Sequence, residues 1–160
     1  MPDMFYVGYT EKNGKGVFAA KPVAKGRPIL RLTGWIKERS EILLPAYSLQ
    51  VGEDLFLDGE KSDHMNHSCS PSCRINFNTL EVAAIRDIWK GEELTFDYNT
   101  TEYDMVRNGD AFMCNCGSKE CVGFVKGFKY LGFERKKKLQ GILSPFLRKK
   151  MEEELSIKVG

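Results

Sequence analysis

Three cysteines within eight residues, Cys114-x-Cys116-x4-Cys121, constrain this chain more than any other stretch of it. Gly117 stands among them where the backbone must turn. Closely spaced thiolates suit zinc, which takes four ligands in a tetrahedron with Zn–S bonds near ~2.3 Å. The cluster is one ligand short. Five cysteines are present in all, so Cys69 and Cys73 are the candidates for the fourth position. Either one would bring a distant segment against the cluster, and one structural zinc would order both. The bland alternative is a set of reduced structural thiols.

That reading needs a reducing compartment. Met1 to Thr10 holds Asp3, Gly8 and several aromatics where a secretory leader would be basic and then apolar. No apolar run approaches the ~20 residues of a membrane span. The expectation is a cytoplasmic or nuclear protein, neither membrane-bound nor secreted by a visible signal, whose cysteines bind metal or stay free. The 160 residues suit one domain. A formal charge of +2, from 24 basic and 22 acidic residues, gives no reason to expect direct nucleic-acid binding. The basic runs Arg135–Lys138 and Arg148–Lys150 read as solvated helix faces, with a nuclear address or an acidic partner as the alternative.

Short β-like runs cover Met4–Tyr9, Gly16–Ala20, Pro28–Leu32, Tyr47–Val51 and Asp54–Leu57, separated by glycine-rich breakers. Trp35–Leu44 is looser and suggests a short helical or irregular insert. Arg74–Phe77 and Glu81–Ile85 alternate about Asn78-Thr79 as a hairpin would. Leu94–Phe96 is the last expected strand. Ser144 followed by Pro145 is a helix start, and Leu147, Met151 and Leu155 share one face of the helix that follows. Glu152–Glu154 are expected to pair back to Arg148–Lys150 on that helix. The fold class is mostly β, with a zinc knuckle and C-terminal helices.

Four motifs, in this order, resemble the SET-domain protein lysine methyltransferases that carry a post-SET zinc motif. They are Gly14-Lys15-Gly16-Val17-Phe18-Ala19, Asn66-His67-Ser68-Cys69-Ser70-Pro71, Gly91-Glu92-Glu93-Leu94-Thr95-Phe96-Asp97-Tyr98 and the cysteine cluster through Gly123. The resemblance implies a SET domain over residues 4–109, a post-SET zinc-binding segment over 110–126 and a helical extension over 127–160. It implies the β-clip fold of small curved sheets, in which the closing motif passes under the loop of the central one as a pseudoknot. Lys15 and Gly16 would then receive the methionine part of S-adenosylmethionine, Asn66 and His67 its amino-acid and adenine ends, and Phe124 would cover the adenine. Tyr98 would be the catalytic tyrosine and also border the cofactor, with Tyr47 and Phe96 lining the lysine channel. The zinc ligands would be Cys69, Cys114, Cys116 and Cys121, leaving Cys73 free. Asp63, His64 and Ser72 stand where the family usually has arginine, an aromatic residue and asparagine.

The reaction this implies moves a methyl group to the side-chain amine of lysine in a protein or peptide, a histone tail being one candidate. Phe96, where tyrosine would restrict the product, implies di- and trimethylation. Free lysine has a pKa near ~10.4, so an apolar channel and a nearby positive charge would have to favour the neutral amine. The rival readings are a non-catalytic SET-like module that binds peptide or cofactor, and a small zinc-stabilised interaction domain.

Overall fold

The computed structural model describes residues 3–59 and 65–159. The unusual residues Asp63 and His64 lie outside the described residues.

The N-terminal pair β1 (Phe5–Thr10) and β2 (Gly14–Ala19) is antiparallel, with Val7 opposite Val17. The far edge of β2 is covered by the approach to the closing motif. Leu94 N–H donates to Val17 O at 2.7 Å, and Ala19 N–H donates to Glu92 O at 2.9 Å. The first and third motifs therefore share a ladder although some eighty residues separate them.

The hairpin read around Asn78-Thr79 is present as β8 (Cys73–Asn76) and β9 (Glu81–Ala84), and β3 (Pro28–Arg31) adds to the other side of β9. A second three-stranded sheet has the order β4 (Trp35–Glu38), β6 (Leu55–Asp58), β5 (Ser48–Gln50). Strand β4 falls where an irregular insert was expected. Trp35 and Ile36 are exposed on it, so apolar alternation could not reveal a strand that is held by pairing to β6. A single 3-10 turn at Arg39–Glu41 is the helical part of that expectation.

Two further pairs hold two residues per strand. One joins β7 (Asn66–His67) to β10 (Thr95–Phe96), and the other joins β11 (Phe112–Met113) to β12 (Phe124–Val125) around the cysteine cluster. Strands this short have no periodicity to read, and β11 and β12 were not foreseen. Helix α1 (Met105–Asn108) is one turn long, capped by the Asp104 carboxylate accepting from Arg107 N–H.

The apolar core forms in two parts. One runs from Val17 through Leu49, Leu57 and Val82 to Leu94 and Phe96 among the strands. The other packs Phe128 and Leu139 against Leu143, Leu147 and Met151, which belong to α2 (Phe133–Leu139), α3 (Pro145–Val159) and the turns that lead into them. Ser144 caps α3 as expected, its hydroxyl accepting from Leu147 N–H at 3.1 Å. Among the described residues, the close ion pairs of α3 reach outside the helix. Glu154 takes Lys136 of α2 at 2.8 Å, and Lys150 takes Glu53 at 2.9 Å. Lys136 is itself buried, 4.7 Å above the Phe128 ring, so its ammonium needs that carboxylate.

Candidate functional site

Strands β7 and β10 lie parallel, with Thr95 beside Asn66 and Phe96 beside His67. Ser68 N–H extends the pairing to Phe96 O at 3.2 Å. Ser72, one of the unusual residues, fastens the same junction. Its buried hydroxyl donates to Glu93 O and accepts from Thr95 N–H, both at 3.0 Å, while its own N–H reaches Thr95 Oγ1. A smaller side chain than asparagine thus still joins the central loop to the closing strand.

His67 is buried and committed at both ring nitrogens. Nδ1 accepts from Tyr98 N–H at 3.0 Å, which assigns the ring proton to Nε2, and Nε2 points at Cys69 Sγ at 3.2 Å. Burial lowers its pKa, and this outweighs the opposing pull of Asp97, whose Oδ1 lies 3.6 Å from Nδ1. The ring is therefore neutral, and it fixes the main chain of Tyr98. The Tyr98 hydroxyl donates to Met65 O. Burial, followed by the charges of Glu102, Glu93 and Asp110, holds the phenol well above its ordinary pKa, so it stays a protonated donor. Phe96 packs 4.8 Å from its ring, and Phe112 meets both His67 and Tyr98 edge-on at 5.8 Å.

These residues border one cavity of about 230 Å³. Asn66, His67, Phe96 and Tyr98 line it, as do Leu49, Phe112, Glu102 and Asp110. Lys15, Gly16, Tyr47 and Phe124 are not among its described lining residues. Tyr47 is half exposed at the end of the turn whose Pro45 and Ala46 do line it, and Phe124 is exposed on β12. Lys15 and Gly16 join the site through Asn66. The Asn66 amide donates to Lys15 O at 2.8 Å and to Glu93 Oε1 at 2.7 Å. A Cβ on Gly16 would stand 2.6 Å from Glu93 Oε1 and 3.2 Å from the Asn66 amide nitrogen, so a side chain on this buried glycine would push the Glu93 carboxylate from its place against Asn66.

The cysteine question has a geometric answer. The sulfurs of Cys69, Cys114, Cys116 and Cys121 all lie within 4.8 Å of one another. Cys73 is buried in the main core, with its sulfur near the Ser72 hydroxyl. The Cys69 and Cys114 sulfurs are 3.8 Å apart. A tetrahedron with ~2.3 Å metal–sulfur bonds has edges of about 3.8 Å. N–H groups of Cys116 and Val122 point at the Cys114 and Cys69 sulfurs, each at 3.4 Å, as donors to thiolates would. Burial, ahead of the neighbouring sulfurs and against the Val122 N–H, raises the Cys69 thiol, so four thiolates here call for a cation. Gly117 makes the turn with φ of +73°. The donor set fits one zinc ion.

Four contributors escaped the sequence reading. Phe112 is an isolated aromatic ahead of the cysteines, and Glu102 and Asp110 lie in polar loop sequence. Arg135 looked like part of a solvated run, yet its guanidinium donates to Cys69 O at 2.8 Å and Asp97 Oδ2 at 3.0 Å and pairs with Glu120 at 3.2 Å. Helix α2 thereby ties the central loop to the closing strand. No local pattern marks a lone inward arginine.

Comparison with known proteins agrees with this geometry. Residues 14–99 match the SET domain family. A methyltransferase, flvH, of Aspergillus flavus is 47% identical over 85 residues, covering 52% of this chain and 42% of its own length. A histone-lysine N-methyltransferase of Yarrowia lipolytica, H3 lysine-36 specific, is 32% identical over 139 residues, covering 74% of this chain and 18% of its own length. The chain thus spans less than half of either relative. Among solved structures, KRYPTONITE in complex with mCHH DNA, an H3(1-15) peptide and SAH superposes with a TM-score of 0.64 at 20% identity, over 78% of this chain and 30% of that one. Among the described residues, no helix is long and apolar enough to cross a membrane.

Proposed function

Because this chain belongs to the SET-domain family, matched over residues 14–99, we propose that it transfers a methyl group from S-adenosylmethionine to the side-chain amine of lysine in a protein substrate. The observation that carries the reading is the convergence of Asn66, His67, Phe96 and Tyr98 on one cavity, with the Tyr98 hydroxyl fixed on Met65 O. The cofactor would supply a methyl group activated on a positively charged sulfur. The edge formed by Lys15, Gly16, Asn66 and Glu93 offers backbone, amide and carboxylate groups suited to its amino-acid end. Phe124, exposed on β12 beside the cysteine cluster, would cover the adenine.

Within the cavity, Phe96, Phe112 and Leu49 supply apolar walls that disfavour an ammonium. Tyr98, held protonated, orients the amine and shares its hydrogen bond with Met65 O, an electrostatic contribution made by groups already in place. Tyr47 would border the channel mouth. Phe96 carries no hydroxyl to hold a blocking water, which favours di- and trimethylated products. Cys69, Cys114, Cys116 and Cys121 would hold one structural zinc that joins the central loop to residues 110–126.

The SAH bound in the KRYPTONITE structures supports the cofactor, and the H3 peptide in one of them supports a lysine-bearing peptide substrate, with a histone tail as the first candidate. The expectation of no nucleic-acid contact has no support from these neighbours, since both hold DNA. A nuclear or cytoplasmic location suits such a substrate.

The test is incubation with radiolabelled S-adenosylmethionine and core histones or cell lysate. Lysine labelling that falls by about 10²-fold or more in Tyr98→Phe is expected, the scale of losing one positioned transition-state donor. Cofactor binding without transfer to any protein would replace this reading with a non-catalytic module.

A further inference from the structure

The cavity beside Tyr98 contains two carboxyl groups and, among its described lining residues, no lysine or arginine. Glu102 is only 5% exposed. Both of its oxygens stand 3.2 Å from Gln50 N–H, and one also accepts from the Thr101 hydroxyl, so its donors are all neutral. Its own N–H donates to Tyr98 O at 2.9 Å, which places the acid one tight turn from the tyrosine. Asp110 Oδ1 is sealed from solvent and has no hydrogen-bond partner in another of the described residues. A buried acid without a cation is costly to ionise, and here both acids line the cavity that a lysine would enter.

We propose that Glu102 is the proton acceptor for the substrate lysine, an inference that rests on the methyl-transfer reading above. One N–H bond of the entering ammonium breaks, its electron pair stays on Nζ as the nucleophilic lone pair, and the proton bonds to a Glu102 carboxylate oxygen. When the product leaves, that proton stays on Glu102, and it passes to solvent as the next ammonium enters the cavity. Tyr98 cannot take this role, because its hydroxyl already donates to Met65 O. The titratable groups that line the cavity with Glu102 are Tyr98 on its own segment, Asp110 beyond α1, His67 on β7 and Cys114 ahead of the cysteine turn, and of these Tyr98 and Asp110 interact with it electrostatically. Burial holds the Glu102 carboxyl up at about 8, against the bonds from Thr101 and Gln50 and aided by Asp110. An acceptor works best near the working pH. An arriving ammonium favours the ionised acid, so the group is neutral in the empty cavity and becomes competent when occupied.

Two measurements decide the matter. The first uses wild-type protein labelled with ¹³C at glutamate carboxyls, titrated by NMR with and without n-butylammonium chloride as a lysine side-chain probe. The Glu102 resonance, identified by its loss in Glu102→Gln, is expected to ionise at lower pH when the probe is present. The second compares kcat with core histones across pH 6.5–10. Glu102→Gln is expected to lose about 10²-fold at the acid end and to recover as solvent deprotonates the lysine, with unchanged cofactor affinity. A carboxyl that ignores the probe, or a variant with the wild-type pH profile, overturns the proposal and leaves the enzyme reading standing. A carboxyl that responds in a protein that methylates nothing keeps the cation site and rejects the enzyme.

Discussion

Replacing Arg135 with methionine tests whether α2 holds the site together. The Asp97 side chain is fully buried and that of Arg135 is 14% exposed, with 3.0 Å between guanidinium and carboxylate. Methionine keeps most of the apolar stem but, among the described residues, leaves the Asp97 carboxylate with Asn99 N–H as its one close donor, at 2.9 Å. Removing one partner of a buried pair costs about 3–5 kcal/mol. The partial exposure of Arg135 points to the low end, about 3 kcal/mol. At ~2.1 cal/mol/K per residue, the 160 residues carry an unfolding entropy of roughly 0.34 kcal/mol/K. The midpoint should therefore fall by about 9 °C in scanning calorimetry. Adding Asp97→Asn, which removes the stranded charge, should recover at least ~1 kcal/mol, because much of the loss is an uncompensated buried ion. Glu120→Gln, at the exposed partner of the same arginine, should leave the midpoint unchanged. A loss below ~1 kcal/mol in Arg135→Met, or no recovery with Asp97→Asn, would refute the claim that this pair is structural.

Phe96→Tyr should shift products toward monomethyl-lysine by mass spectrometry, and an unchanged distribution would remove Phe96 from control of product state. Metal analysis should find about one zinc per chain, a stoichiometry set by four thiolates per ion; Cys114→Ser should lose it together with β11–β12 amide protection in hydrogen exchange, and metal-free active protein would exclude the site. Because burial raises the folded pKa of Glu102 from 4.5 to about 8, its stability contribution is intact below pH 4.5 and declines as pH rises toward 8. Asp110, raised from 3.8 to about 6, acts in the same direction at lower pH. Urea titrations from pH 5 to 9 should show stability falling by on the order of a few kcal/mol, and Glu102→Gln should flatten the upper part of that fall.

What the sequence revealed depended on the range of each signal. The hairpin about Asn78-Thr79 and the capped helix after Ser144 are local, and both are present. The zinc set needed one distant choice, Cys69 over Cys73, which motif order suggested and the placement of four sulfurs supports. Strand β4 was missed because its apolar residues face outward, and its pairing with β6 is a tertiary fact. Arg135 and Glu102 were missed for a related reason. Charged residues in polar sequence look solvated, and only the assembled fold shows one clamping Asp97 and the other facing a cavity.

The two-residue ladder between β7 and β10 also bears on the order in which the chain can assemble. Hairpin β8–β9 lies between these strands in sequence and can form from neighbouring residues alone. The parallel pairing must instead close a loop around it and gains only two residues of ladder for that lost entropy. It should therefore be among the last contacts made, and the first lost under mild denaturant. His67 reaches Tyr98 only across that ladder, so a chain could show nearly all of its native β structure while the tyrosine is still unset. Geometry at Tyr98 is thus a stricter gauge of complete folding in this protein than its content of secondary structure.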